Sequence, residues 1–250
     1  MKKYTLALVG TNKTGTTTIW DALKNHPQIS TSVKKELLMP NRDHPIHENV
    51  SEEYVDKYFN IMPKTKILLD GTPRISTRPR YVEVLKKIKK INKIVCLFTL
   101  RDPLEVAYSA CIMRSKIYYR HLKTGREINV YYLISPDKVN YDALEKFVSD
   151  QMNIYHDINN AVESLGFENI LFVPLDEIHS KSKEICNFFK IDEIDIHFDH
   201  LNKAKQLNLP FKFLRQMVLI KDWFNTNSDR LLKVQEDQKK KVFERYGITW

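Results

Sequence analysis

Residues 4–24, YTLALVGTNKTGTTTIWDALK, decide how this chain is read. Tyr4 to Val9 is a short apolar run that predicts a strand, and Gly10 ends it. From Thr16 onward the pattern predicts a helix with Ile19, Trp20 and Leu23 on one face. A strand, a glycine-bounded loop and a helix point backbone N–H groups at an anion. Gly10 to Gly15 fits the phosphate-loop spacing G-x-x-x-x-G. The nucleotide-triphosphatase version continues with Lys and then Ser/Thr. Here Thr16 and Thr17 follow Gly15, and the lysine, Lys13, lies inside the loop. A lysine there would lie at the mouth of the loop, nearer the terminal group of a bound nucleotide, while Thr16, Thr17 and Thr18 would add hydroxyl donors and helix N-terminal amides.

Lys13-Thr14-Gly15-Thr16-Thr17 resembles the 5′-phosphosulfate-binding motif of sulfotransferases. With the helix and His26-Pro27-Gln28 after it, the stretch is most similar to the carbohydrate branch, which includes the heparan sulfate sulfotransferases. A second motif lies about 85 residues further on, again where a strand turns into a helix. Residues 93–100, KIVCLFTL, are apolar almost throughout, as a strand buried on both faces should be. Arg101-Asp102-Pro103 and the helical run LEVAYSACIMRSK follow. Arg101, Asp102, Pro103, Glu105 and Ser109 resemble the family's 3′-phosphate motif, R-[DN]-P-x-E-x-x-x-S. An arginine at a strand's C-terminal end can fork onto a phosphate. Pro103 suits the first turn of a helix, and Ser109 lies about two turns along it.

Composition bounds the alternatives. The 250 residues are near the upper end for one domain, and 42% hydrophobic residues suffice for a full core. No apolar run approaches the roughly 18 residues of a membrane helix. The apolar run of MKKYTLALVG is shorter than a signal-peptide core, so it reads as the first core strand. Cys96, Cys111 and Cys186 are odd in number and lack metal-ligand spacing; they read as reduced thiols of a cytoplasmic protein. The net charge of +9 suits polyanionic partners such as nucleotides and glycans. The lysine runs 86–90 and 239–241 read as solvated helix faces. No nucleic-acid-binding signature is present.

Between the motifs, residues 29–49 read as a polar loop containing Lys35-Glu36. This pair matches a K-E motif of the family, although Leu37-Leu38 stand where an aromatic pair often follows. Residues 51–59 predict a short helix and 66–70 a strand. Asp70-Gly71-Thr72-Pro73 follows where the carbohydrate branch commonly has E-K-T-P, so the lysine of that motif is absent here. Residues 79–91 predict an amphipathic helix, 116–140 either an aromatic lid over the acceptor or a helix end with a surface loop, and 142–165 one long helix stopped by Gly166. A strand at 169–173, a helix at 176–189, an irregular stretch at 192–210 and helices at 211–225 and 228–245 complete the chain. Lys203, Lys205 and Arg215 are weak candidates for a cofactor-covering segment, and residues 224–232 and 246–250 resemble the family's C-terminus.

The alternation of strands and helices predicts one α/β domain over 1–250, a P-loop-like three-layer fold with a central parallel sheet flanked by helices. The resemblance implies a sulfotransferase using 3′-phosphoadenosine 5′-phosphosulfate (PAPS) and no metal. Its acceptor would be a hydroxyl or amine, on a carbohydrate or another molecule. On that reading Lys13, Thr14, Gly15, Thr16, Thr17 and Thr18 hold the 5′ end of the donor, with Lys13 neutralising charge on the bridging oxygen. Arg101 and Ser109 hold the 3′-phosphate, and Glu36 takes the acceptor's proton, with His44, His47 and Asp70 as the other candidate bases. A P-loop kinase and a catalytically idle nucleotide- or glycan-binding module of the same fold are the competing readings.

Overall fold

A computed structural model describes residues 4–37, 57–73, 79–124, 130, 132–135, 138–194, 196–198 and 211–250. The strands are β1 (Thr5–Gly10), β2 (Ile29–Thr31), β3 (Ile67–Asp70), β4 (Lys93–Leu100), β5 (Leu133–Ser135), β6 (Lys138–Val139) and β7 (Ile170–Pro174). The helices are α1 (Thr16–Leu23), α2 (Pro79–Ile91), α3 (Pro103–Thr124), α4 (Tyr141–Met152), α5 (Ile154–Leu165), α6 (Ser182–Phe189), α7 (Phe211–Thr226) and α8 (Ser228–Tyr246). Two compact units result. Met1–Arg101, His156–Lys203 and Trp250 form the first, and Asp102–Tyr155 and Ala204–Thr249 the second.

The first unit is built on a parallel sheet in the order β2-β3-β1-β4-β7. Its strands are apolar because both faces are covered. Successive side chains of a strand alternate between faces. Ala7, Val9, Ile67, Leu69, Val95, Leu97 and Val173 turn to one face and pack with Ile19 and Leu23 of α1 and Ile185, Cys186 and Phe189 of α6. The intervening Leu6, Leu8, Leu68, Ile94, Cys96 and Phe98 are equally buried. The chain leaving β1 runs toward β2 at one edge, and the chain leaving β4 runs eventually to β7 at the other. Adjacent strands whose connections diverge open a crevice at their C-terminal ends, where ligands bind in such sheets. β1 and β4 are that pair, in register from Thr5 opposite Lys93 to Gly10 opposite Phe98.

The second unit contains α3, α4, α7, α8 and the antiparallel β5–β6 pair. Its core joins Ala107, Ala110 and Cys111 of α3 to Leu144 and Val148 of α4, Ile220 and Phe224 of α7, and Leu231 of α8. Tyr132 is fully buried among them, and its hydroxyl donates to the Cys111 carbonyl at 3.2 Å. Burial also pushes the Cys111 thiol far above its ordinary range. All three cysteines are buried, and none is in a disulfide.

Several elements differ from the sequence reading. The helix expected over 142–165 is two, because Asn153 leaves helical geometry at φ −78° and ψ 62°. The apolar stripe continues on both sides of the break, so periodicity could not show it. The loop expected from residue 29 begins with β2, an edge strand of three residues, too short for a periodic signal. The helix expected from 176 starts at Ser182, after a 3-10 turn at Leu175–Glu177. Within 116–140, α3 runs to Thr124, and the β5–β6 pair follows. Residues 51–56, His44, His47, Lys203 and Lys205 lie outside the described residues.

Candidate active site

The loop between β1 and α1 is shaped from below by a threonine that belongs to the other motif's strand. Thr99 of β4 is buried, and its hydroxyl proton is offered to the carbonyls of Gly10 at 2.8 Å and Thr14 at 3.0 Å. The Thr14 hydroxyl sits 2.6 Å from that of Thr99 and also donates to the Thr11 carbonyl at 2.8 Å. Thr14 therefore spends its side chain beneath the loop, and what it can present to an anion is its backbone N–H. Lys13 and Gly15 adopt left-handed conformations, at φ 66° and 79°. A Cβ on Gly15 would lie 2.7 Å from Leu175 Cδ1, so both conformation and space require glycine there. Gly15 caps α1, whose first residues are Thr16, Thr17 and Thr18. Thr16 is nearly buried and the other two half-buried. With no side chain capping it, the start of α1 keeps its orphan amides and positive dipole end for a ligand.

Arg101 follows the end of β4 and donates from Nη1 to the Lys13 carbonyl at 3.1 Å. The two sequence motifs, 88 residues apart, meet at this bond. Asp102 next to it accepts from the amides of Leu104 and Glu105 at 3.0 and 3.3 Å, capping α3, and lies 3.5 Å from Lys239 Nζ. Ser109 is half-buried on α3 in the second unit.

Segment 32–37 is tied to the C-terminal end of β3. Ser32 N donates to Leu69 O at 3.0 Å, Gly71 N to Lys35 O at 2.7 Å, and Leu37 N to the Asp70 carboxylate at 3.1 Å. Asp70 also accepts from Thr72 N at 2.9 Å. Burial outweighs these bonds and pushes its carboxyl up from 3.8 to about 6. The consequence for the site is that Lys35 Nζ reaches Thr16 Oγ1 at 3.5 Å and Glu36 Oε1 at 3.4 Å. Thr99 has no role in the sequence reading; Asp70 enters it only at the E-K-T-P position and as an alternative base, and Lys35 only as the neighbour of Glu36 in the K-E motif. Only a buried threonine or aspartate at a strand's C-terminal end could have signalled the first two. Among the described residues, no cluster of three or more His, Cys, Asp or Glu side chains could hold a metal ion, and no helix is long and apolar enough to cross a membrane.

No family model and no curated protein matches this sequence. The fold is matched instead. A sulfotransferase from Alicyclobacillus acidocaldarius superposes with a TM-score of 0.61 at 12% identity, over 100% of this chain and 98% of its own. The sulfotransferase domain from the curacin biosynthetic pathway, 15% identical, aligns over 75% of this chain and 74% of its own, with a TM-score of 0.46. The chain has the α/β, P-loop-like fold of sulfotransferases, with its five-stranded parallel sheet flanked by helices.

Proposed function

We propose that this protein is a PAPS-dependent sulfotransferase that moves a sulfuryl group to a hydroxyl or amine of a carbohydrate or glycoconjugate. The observation that carries the reading is the Arg101–Lys13 contact, which joins two anion-binding turns at the crevice between β1 and β4. The residues fit a nucleotide with an anionic group at each end of its ribose. The uncapped α1 start, Lys13 and Thr16–Thr18 suit a 5′-phosphosulfate, and Arg101 suits a 3′-phosphate; for Ser109 the same role rests on the motif resemblance alone. When bound, PAPS supplies an electrophilic sulfur on a phosphate leaving group. Lys13 is placed in the loop to neutralise negative charge on the departing phosphate oxygen, as cations do in phosphoryl transfer. Glu36, partly exposed beside the start of α1, accepts the proton of the acceptor's hydroxyl or amine.

A catalytically idle module is the second reading, favoured by Gly71 and Leu37-Leu38 in place of the family's lysine and aromatic pair. A kinase needs the Lys that should follow Gly15, and Thr16 stands there. Calorimetric titration separates the nucleotide classes. Adenosine 3′,5′-bisphosphate should bind in EDTA and more tightly than adenosine monophosphate. Binding abolished by EDTA, or tighter binding of ATP with Mg²⁺, would replace this reading with the kinase one.

A further inference from the structure

Lys35 has no part in the mechanism above, yet the fold makes room for it. Gly71 lies against its stem: a Cβ at position 71 would sit 2.9 Å from Lys35 Cγ, 3.0 Å from Lys35 O and 3.0 Å from Trp20 Cδ1. Gly71 N holds the Lys35 carbonyl at 2.7 Å, and Leu37 two residues on is held by Asp70. The segment is therefore fixed on both sides of Lys35, and the lysine stem runs through the volume that any larger residue at 71 would fill. The ammonium ends 3.5 Å from Thr16 Oγ1, at the first residue of α1. A cation is unfavourable at the positive end of a helix unless an anion shares the position. Glu36 offsets this only in part, at 3.4 Å with a side chain 36% exposed. A bound anion at the α1 start would satisfy the helix amides and Lys35 together.

The geometry points to Lys35 as a second cation of the donor site, contacting the 5′ anion from segment 32–37 through the space that Gly71 leaves open. The inference rests on the sulfotransferase reading and deepens it: the lysine absent from position 71 is replaced in function by one from the neighbouring segment. Gly71 is then a requirement of the site rather than a loss from it.

Titration calorimetry in EDTA with adenosine 3′,5′-bisphosphate and adenosine 3′-monophosphate isolates the 5′ group. Lys35→Met keeps the stem and removes the charge. It should weaken bisphosphate binding about ten- to a hundredfold, the worth of a charge-assisted contact. Monophosphate binding should stay within about twofold, and Lys35→Arg should restore most of the preference. Gly71→Ala should reduce the same ratio by displacing the stem, and should add nothing in a Lys35→Ala background. A wild-type ratio in Lys35→Met, with monophosphate affinity intact, overturns the assignment and leaves the sulfotransferase reading standing. Should Lys35→Met not fold, a wild-type ratio in Gly71→Ala overturns it equally. A wild-type protein with no preference for the bisphosphate overturns both.

Discussion

Asp70 makes folding stability depend on pH in a direction opposite to that of most carboxylates. It is fully buried at the end of β3, with Leu37 N and Thr72 N donating to its two oxygens at 3.1 and 2.9 Å. Those bonds favour the charged form, but desolvation is the larger effect, and the carboxyl titrates near 6 against an ordinary 3.8. At about 1.36 kcal/mol per pKa unit, the gap is worth about 3 kcal/mol. The folded chain holds this proton where the unfolded chain has already lost it, so stability is greatest below the unfolded value and falls as pH rises toward 6. Between pH 4 and pH 7 the loss is about 2 kcal/mol, since the unfolded chain is already half ionised at the lower end. Asp70→Asn removes the titration and points an amide N–H₂ at one of the two donors. Urea unfolding of both proteins at pH 4, 5, 6 and 7 measures the difference in free energy directly. The variant should be the less stable at pH 4 and gain on the wild type by about 2 kcal/mol by pH 7. A difference constant across this range, or a gain in the other direction, would refute the argument that burial dominates at Asp70.

Other residues of the site give sharper functional outcomes. Thr99→Val keeps the shape of the side chain but strips the hydroxyl from under the loop; it should cost about 1–3 kcal/mol in stability and weaken bisphosphate binding, checked by thermal melting and calorimetry. Arg101→Ala should erase most of the preference for the bisphosphate over adenosine 5′-monophosphate, because a charge-assisted contact worth about 1.5–3 kcal/mol is lost. Glu36→Gln should leave donor affinity within about twofold while lowering turnover roughly 10²–10⁴-fold. Near-normal turnover on the true acceptor would remove Glu36 from the mechanism. Gly15→Ala must place a methyl 2.7 Å from Leu175 at φ 79° and should lose donor binding before it loses the fold, seen as weakened titration with retained circular dichroism.

Four of the five sheet strands and both strand-to-helix turns were legible in the sequence, where single elements carry strong local signals. β1, β4 and α2 are long apolar or periodic runs, and their observed bounds fall within a residue of those expected. Gly15 and Pro103 mark the helix starts, because backbone geometry demands them. What stayed hidden depends on tertiary contact. The Thr99 hydroxyl is one more residue of an apolar strand until the strand order puts β4 beside β1. The Lys35 ammonium is an exposed loop charge until Asp70 and Gly71 fold segment 32–37 back toward α1. The break at Asn153 is invisible because two helices share one apolar stripe. Gly71 read from sequence is a departure from a motif; read with Lys35 Cγ beside it, it is a space kept open.

The most direct test of the account is transfer itself. The protein is incubated with PAPS and pools of carbohydrate and glycoconjugate acceptors, and products are followed by mass spectrometry. The account predicts an acceptor that gains one sulfuryl group in step with release of adenosine 3′,5′-bisphosphate, without added metal. Tight binding of the bisphosphate with neither transfer to any acceptor nor slow hydrolysis of PAPS would contradict it and leave a binding module of sulfotransferase fold.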